Sequence, residues 1–89
     1  VNKALWNVLE TKSAIKDLSK MPSFVKLTYK YLIDDLKREG PRPKGWSALQ
    51  LVGRNEVRIK LNREYRVLLE VHPPDLIVVK VAHRKEAYK

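Results

Sequence analysis

Arg58 and Lys60 stand two residues apart in the alternating stretch Val57-Arg58-Ile59-Lys60-Leu61, and Arg66 opens the next one, Tyr65-Arg66-Val67-Leu68-Leu69-Glu70. On a strand this spacing puts Arg58 and Lys60 on one face, roughly 7 Å apart, and a hairpin brings Arg66 beside them. Cations so placed repel one another. Such a face is either solvated surface that keeps the chain soluble or a grip for an anion. Three features point to the grip: the cluster is single-signed, no acidic residue interleaves between Arg58 and Asn62, and Arg84 follows directly on an apolar strand. Cations gathered at strand ends suggest a phosphate site.

With single-stranded RNA as the anion, the same groups could do chemistry. Cleavage through the 2′-hydroxyl needs a base for its proton, positive charge on the phosphorane-like transition state and an acid for the leaving 5′-oxygen. Arginine suits the second task because its guanidinium stays protonated and presents a fork of donors, whereas lysine loses its proton more readily when crowded by cations. Lys60 is therefore the better base candidate. Lysine is almost fully protonated at neutral pH, so Arg58 and Arg66 have to favour its neutral form.

Arg84 and Tyr88, four residues apart, share a face if the terminal segment is helical. Tyr88 then either stacks on an exposed base or seals the end of the core. Histidine is a residue type suited to proton transfer near neutrality, but alternation with Ile77, Val79 and Val81 turns His83 toward the helices instead. Lys44, Arg54 and His83 are the further candidates for RNA contact. His72, in a Pro-Pro turn, reads as a loop residue, and Trp6 and Trp46, beside apolar strand residues, read as packing rather than base stacking.

The elements that must position these groups follow from periodicity. Val1–Glu10 reads as a strand, and Thr11 caps a short helix in which Ala14, Ile15, Leu18 and Met21 recur at helical spacing until Pro22. A second helix runs from Pro22-Ser23 to Glu39, with Val25, Tyr29, Leu32 and Leu36 on one side, Lys26, Lys30, Lys37 and Arg38 mostly on the other, and Gly40 at its end. The run from Gly40 to Gly45 contains Pro41 and Pro43 and can only be a connection. Beyond it the period is two: Ala48–Leu51, Val57–Leu61, the stretch from Tyr65 to Val71 and Leu76–Ala82 are strands, joined at 62–64 and 72–75. The 84–89 segment has room for one or two helical turns. The expected fold is α+β: two N-terminal helices on one face of a small, mainly antiparallel sheet, as a single domain over residues 1–89. Val57, Ile59 and Leu61 face the helices, Arg58 and Lys60 face away, and that second face is left open.

Composition narrows the partners. In 89 residues, 19 Lys and Arg against 10 Asp and Glu leave a net charge of +9, with 44% hydrophobic residues. A chain with that excess folds and attracts anions. Without cysteine there is neither a disulfide framework nor a thiol nucleophile, and two histidines cannot make the usual structural zinc site, so no metal and no cofactor are expected. The longest apolar run, Leu76–Val79, falls far below the roughly 20 residues that span a bilayer, so a soluble, cytoplasmic protein without membrane contact is expected. Val1 opens the chain and Met21 is its only methionine, so the native start is expected to lie upstream. P-loop, dinucleotide and Ser-His-Asp patterns are absent from the sequence.

Val57–Leu61, the Tyr65–Glu70 stretch and Val81-Ala82-His83-Arg84-Lys85-Glu86-Ala87-Tyr88 together resemble the RelE/ParE toxin superfamily, specifically its RelE branch. Thr11-Lys12-Ser13-Ala14 opening the first helix and Leu51-Val52-Gly53 before the basic strand fit the same order. The resemblance implies a RelE-like fold and a ribosome-dependent endoribonuclease, the toxin of a type II toxin-antitoxin system, which cuts messenger RNA in the ribosomal A site and is held inactive by a cognate acidic antitoxin. It implies Lys60 as base, Arg66 and Arg84 as transition-state stabilisers with Arg84 toward the leaving group, Tyr88 orienting the nucleotide, and Arg58 at a position where lysine is expected. An arginine there holds phosphate but is a poor base, which narrows that role to Lys60. The alternatives are a ParE-like inhibitor of DNA gyrase, which shares the fold, and a non-catalytic basic RNA-binding module.

Overall fold

A computed structural model describes residues 5–51 and 53–87. Strand β1 (Asn7–Glu10) leads into helix α1 (Lys12–Ser19) and helix α2 (Ser23–Glu39), followed by strands β2 (Ala48–Gln50), β3 (Glu56–Lys60), β4 (Tyr65–His72) and β5 (Asp75–His83). The start of the expected first strand, residues 1–4, lies outside the described residues, as does Tyr88.

The helix boundaries have local causes. Thr11 Oγ1 accepts the Ala14 N–H at 3.0 Å, the N-cap bond that satisfies a donor in the first turn of α1. Pro22 precedes α2, where its missing N–H costs nothing. Gly40 ends α2 at φ +90°, its N–H bonded to Leu36 O at 2.9 Å. Val25, Tyr29, Leu32 and Leu36 are the buried residues of α2, the four expected from their spacing. They pack with Ala14 of α1 against Val57, Ile59, Leu61, Val67, Leu69, Leu76, Val78 and Val81. This is the α+β layer expected: two helices on one face of a five-stranded sheet.

The strand order is β1-β5-β4-β3-β2. All pairs are antiparallel except β1 with β5, which run parallel from Asn7↔Asp75 to Glu10↔Val78. Because β1 covers only the first half of β5, α1 shields the rest of that edge: Asp17 Oδ2 accepts the Val81 N–H at 3.2 Å. Among the described residues, no helix is long and apolar enough to cross a membrane.

Two expectations about the sheet need correction. Leu68 pairs with Lys80 and Leu69 with Val78, so Val79 is an extra residue in β5. The bulge reverses the parity: Leu76 and Val78 face the helices before it, Val81 after it, while Val79 packs on the opposite side. His83 does share the helix-side face with Val81 and Tyr65, but not by an unbroken alternation through Ile77 and Val79. The second face is also not wholly open. Leu68, Val79 and Ala82 make an apolar patch there, and Ala87, only 2% exposed, folds back onto it. Burying that patch favours return of the chain across the sheet.

Candidate nucleic-acid interface

Cross-strand register assembles the basic face. Lys60 lies directly opposite Arg66, Arg66 opposite Ala82, Arg58 opposite Leu68, and Leu68 opposite Lys80. Since all six point away from the core, four cations from three adjacent strands surround an apolar centre of Leu68 and Ala82. Lys60 is exposed and Arg58 half-buried.

Arg66 is different: it is 8% exposed. Its Nη1 donates to the carbonyls of Asn62 (3.0 Å), Arg63 (3.2 Å) and Tyr65 (3.1 Å), which ties down the β3–β4 connection. Asn62 Oδ1 supports the same turn by accepting the N–H groups of Glu64 (2.8 Å) and Tyr65 (2.9 Å). The Nη2 and Nε edge of the guanidinium takes no part in the three carbonyl bonds. Arg66 therefore arrives already oriented, its Nη1 committed to the loop carbonyls.

Arg84 follows directly on the end of β5. Its N–H donates to Glu64 O at 2.6 Å, extending the ladder one step past the strand. The chain then turns, with Glu86 and Ala87 N–H groups both bonded to His83 O (2.8 and 3.0 Å). Lys80 Nζ braces this turn through Glu86 O at 3.1 Å. The described part of the terminal segment is thus one hydrogen-bonded turn. The expected partnership of Arg84 with Tyr88 lies outside the described residues.

His83 lies beside Tyr65, the ring centroids 5.4 Å apart at a near-perpendicular angle. Its Nδ1 accepts the Lys85 N–H at 3.2 Å, so in the neutral ring Nε2 carries the proton and donates to Glu64 Oε1 at 2.8 Å. Lys44 lies in the connection before β2, its N–H bonded to Glu39 Oε1 at 2.8 Å. That connection approaches the Lys60 end of β3, where Lys60 N–H donates to Ser47 O at 3.0 Å. Arg54 is placed elsewhere. It precedes β3 at the opposite end, about 13 Å along the strand from Lys60, and pairs with Glu56 at 3.4 Å where Glu56 and Glu70 oppose each other. The face is therefore basic at one end and acidic at the other.

Two participants escaped the sequence reading. Lys80 is the one charge within the apolar run of β5, and that isolation was its signal. Glu64 looked like one residue of a short connection, and nothing local marks it, because its partners are 19 and 20 positions away.

No family model matches the sequence, and no curated protein matches it. Solved structures do. A chain of the RelB-RelE antitoxin-toxin complex from Methanococcus jannaschii superposes with a TM-score of 0.78 at 26% identity, over 90% of this chain and 94% of that one. The archaeal RelE-RelB complex from Pyrococcus horikoshii gives 0.75 at 22% identity, over 92% and 98%. The E. coli DinJ-YafQ toxin-antitoxin complex gives 0.73 at 12% identity, over 94% and 98%. The last two likenesses are likenesses of fold. The first, at 26% identity, joined to the order and spacing of the basic strands and the closing Arg84 segment, places this chain in the RelE-like toxin superfamily.

Proposed function

We propose that this chain is the toxin of a type II toxin-antitoxin pair, a ribosome-dependent endoribonuclease that cuts messenger RNA in the A site. The observation that carries the reading is the pairing of exposed Lys60 with pre-oriented Arg66 on the face away from the helices, with Arg58 and Lys80 beside them. In the reaction, neutral Lys60 takes the 2′-hydroxyl proton as the 2′-oxygen bonds to phosphorus. The bond to the 5′-oxygen breaks and that oxygen takes up a proton from solvent water, leaving a 2′,3′-cyclic phosphate and a 5′-hydroxyl. Arg66 and Arg84 stabilise the charge that builds on the phosphate oxygens, Arg58 holds the backbone and Tyr88 orients the nucleotide. Lys44, on the connection that approaches the Lys60 end of β3, contributes to binding, whereas Arg54 at the acidic end and His83 on the helix side stand apart from this site. The +9 charge draws in the ribosomal RNA and, equally, an acidic antitoxin.

The test adds purified protein to ribosomes stalled on a defined message and maps the new 5′ ends. Cuts within the A-site codon that disappear in Lys60→Ala support the reading. Intact messages beside bound protein would reduce it to RNA adhesion, and a chain that spares translation while inducing a DNA-damage response would be a gyrase poison.

A further inference from the structure

The β3–β4 connection and the terminal turn are joined through one residue, by its backbone and its side chain. Glu64 contributes its carbonyl to the Arg84 N–H (2.6 Å) and its carboxylate Oε1 to His83 Nε2 (2.8 Å), while Arg84 Nε lies 3.9 Å from the same oxygen. His83 Nδ1 closes the circuit by accepting the Lys85 N–H. An exposed carboxylate–guanidinium pair at that separation is worth little alone, because both groups, 44% and 49% exposed, remain solvated. The arrangement gains its stiffness from the backbone bond and the imidazole, which hold the carboxylate and the start of the turn in a single geometry. Arg66 anchors the same connection from the other side by its bonds to the Asn62, Arg63 and Tyr65 carbonyls.

We propose that Glu64 is a positioning residue: its carboxylate, itself held by His83 and by the backbone bond to Arg84, fixes the Arg84 guanidinium relative to Lys60 and Arg66. This inference rests on the nuclease reading for its effect on rate, but not for its effect on structure. A guanidinium aimed in advance at developing phosphate charge loses nothing to reorientation during the reaction, so Glu64 acts on the chemical step rather than on RNA capture.

Glu64→Gln keeps an oxygen acceptor for His83 Nε2 and keeps the backbone bond, but removes the charge facing Arg84. The expected result is a fall in kcat of about tenfold with KM unchanged. In an Arg84→Ala background the Glu64→Gln change should cost nothing further. An equal loss in both backgrounds, or a rise in KM alone, overturns the proposal. A second measurement needs no activity: the Arg84 Nε–H resonance should report a restricted side chain in the wild type and a mobile one in Glu64→Gln, while amide-exchange protection at Arg84 and Ala87 persists. Equal mobility in the two proteins overturns the positioning role. If wild type cuts no message, the nuclease reading fails and this second measurement still decides the structural claim.

Discussion

Lys60 and Arg66 are direct cross-strand partners on the same face of the sheet, yet one is exposed and the other is buried with three backbone carbonyls around its Nη1. Two neighbouring cations thus divide the work. The side chain of one is exposed to a ligand, while that of the other is tied into the β3–β4 connection.

Their substitutions should separate accordingly. Lys60→Ala should leave unfolding free energy within about 0.5 kcal/mol of wild type, as for other exposed positions, while removing the base and lowering cleavage by about 10²-fold or more. Arg66→Ala strips three carbonyls of a charged donor and should cost about 1–3 kcal/mol, a fall of several degrees or more in Tm for a domain of this size. It should also reduce cleavage far more than ribosome binding. Thermal melts beside single-turnover cleavage check both, and an Arg66→Ala protein that melts like wild type would remove the carbonyl bonds from the account of stability.

Tyr29 supplies an alkaline signature. Its hydroxyl donates to Glu10 Oε2 at 2.5 Å, joining α2 to β1. Burial first, then the Glu10 hydrogen bond and charge, push the phenol far above its ordinary range. Unfolded chain ionises this group near pH 10 while the folded protein keeps the proton, so stability falls as pH rises past about 10 and is insensitive to Tyr29 below it. Tyr29→Phe should be less stable at pH 8, and the gap should narrow by pH 11. Urea midpoints at the two pH values measure this; a gap that stays constant would contradict it.

At the acid end the corresponding group is Asp35. The Trp46 indole donates to its Oδ2 at 2.7 Å and Arg38 pairs with Oδ1. The indole bond, followed by the Arg38 bond and charge, holds the carboxyl below its ordinary value despite some desolvation. The contribution is present above roughly pH 4, the unfolded value, and is lost as pH falls through the folded one. Asp35→Asn should flatten acid unfolding below pH 4, followed by Trp46 fluorescence, and leave the alkaline limb unchanged.

How much of this was legible depended on whether the cause was local. The face of α2 could be read because Val25, Tyr29, Leu32 and Leu36 leave one spacing and Gly40 one ending. The outward direction of Arg58 and Lys60 followed from strict alternation in β3. In β5 the apolar run through Val79 carries no alternation, so the bulge was invisible and the parity of its first half was misread. Burial of Arg66 was equally hidden, since an arginine in an alternating strand looks solvated until the preceding loop curls its carbonyls around the side chain. The parallel pairing of β1 with β5, the Ala87 cover and the Glu64 link all join residues distant in sequence, and only register brings them together.

Gly40 offers a test of the joint between β1 and α2. Its φ of +90° and ψ of −161° fall where glycine alone is at ease, and a Cβ built there would stand 2.7 Å from Trp6 Nε1. The Trp6 main chain is held at this point by its N–H bond to Lys37 O at 3.0 Å, so relief of the clash has to come from movement of the indole. Gly40→Ala should therefore carry both a backbone penalty of about 1–3 kcal/mol and the cost of displacing the indole. Gly45 separates the two terms: its φ is +87°, but nothing lies within 4 Å of a Cβ there, so Gly45→Ala carries only a backbone cost. Equilibrium unfolding of the two variants should show Gly40→Ala as the more damaging, with a shift in tryptophan emission that Gly45→Ala lacks. Equal losses without that shift would mean that Trp6 yields freely and that the close approach contributes nothing to holding the first strand against the helix.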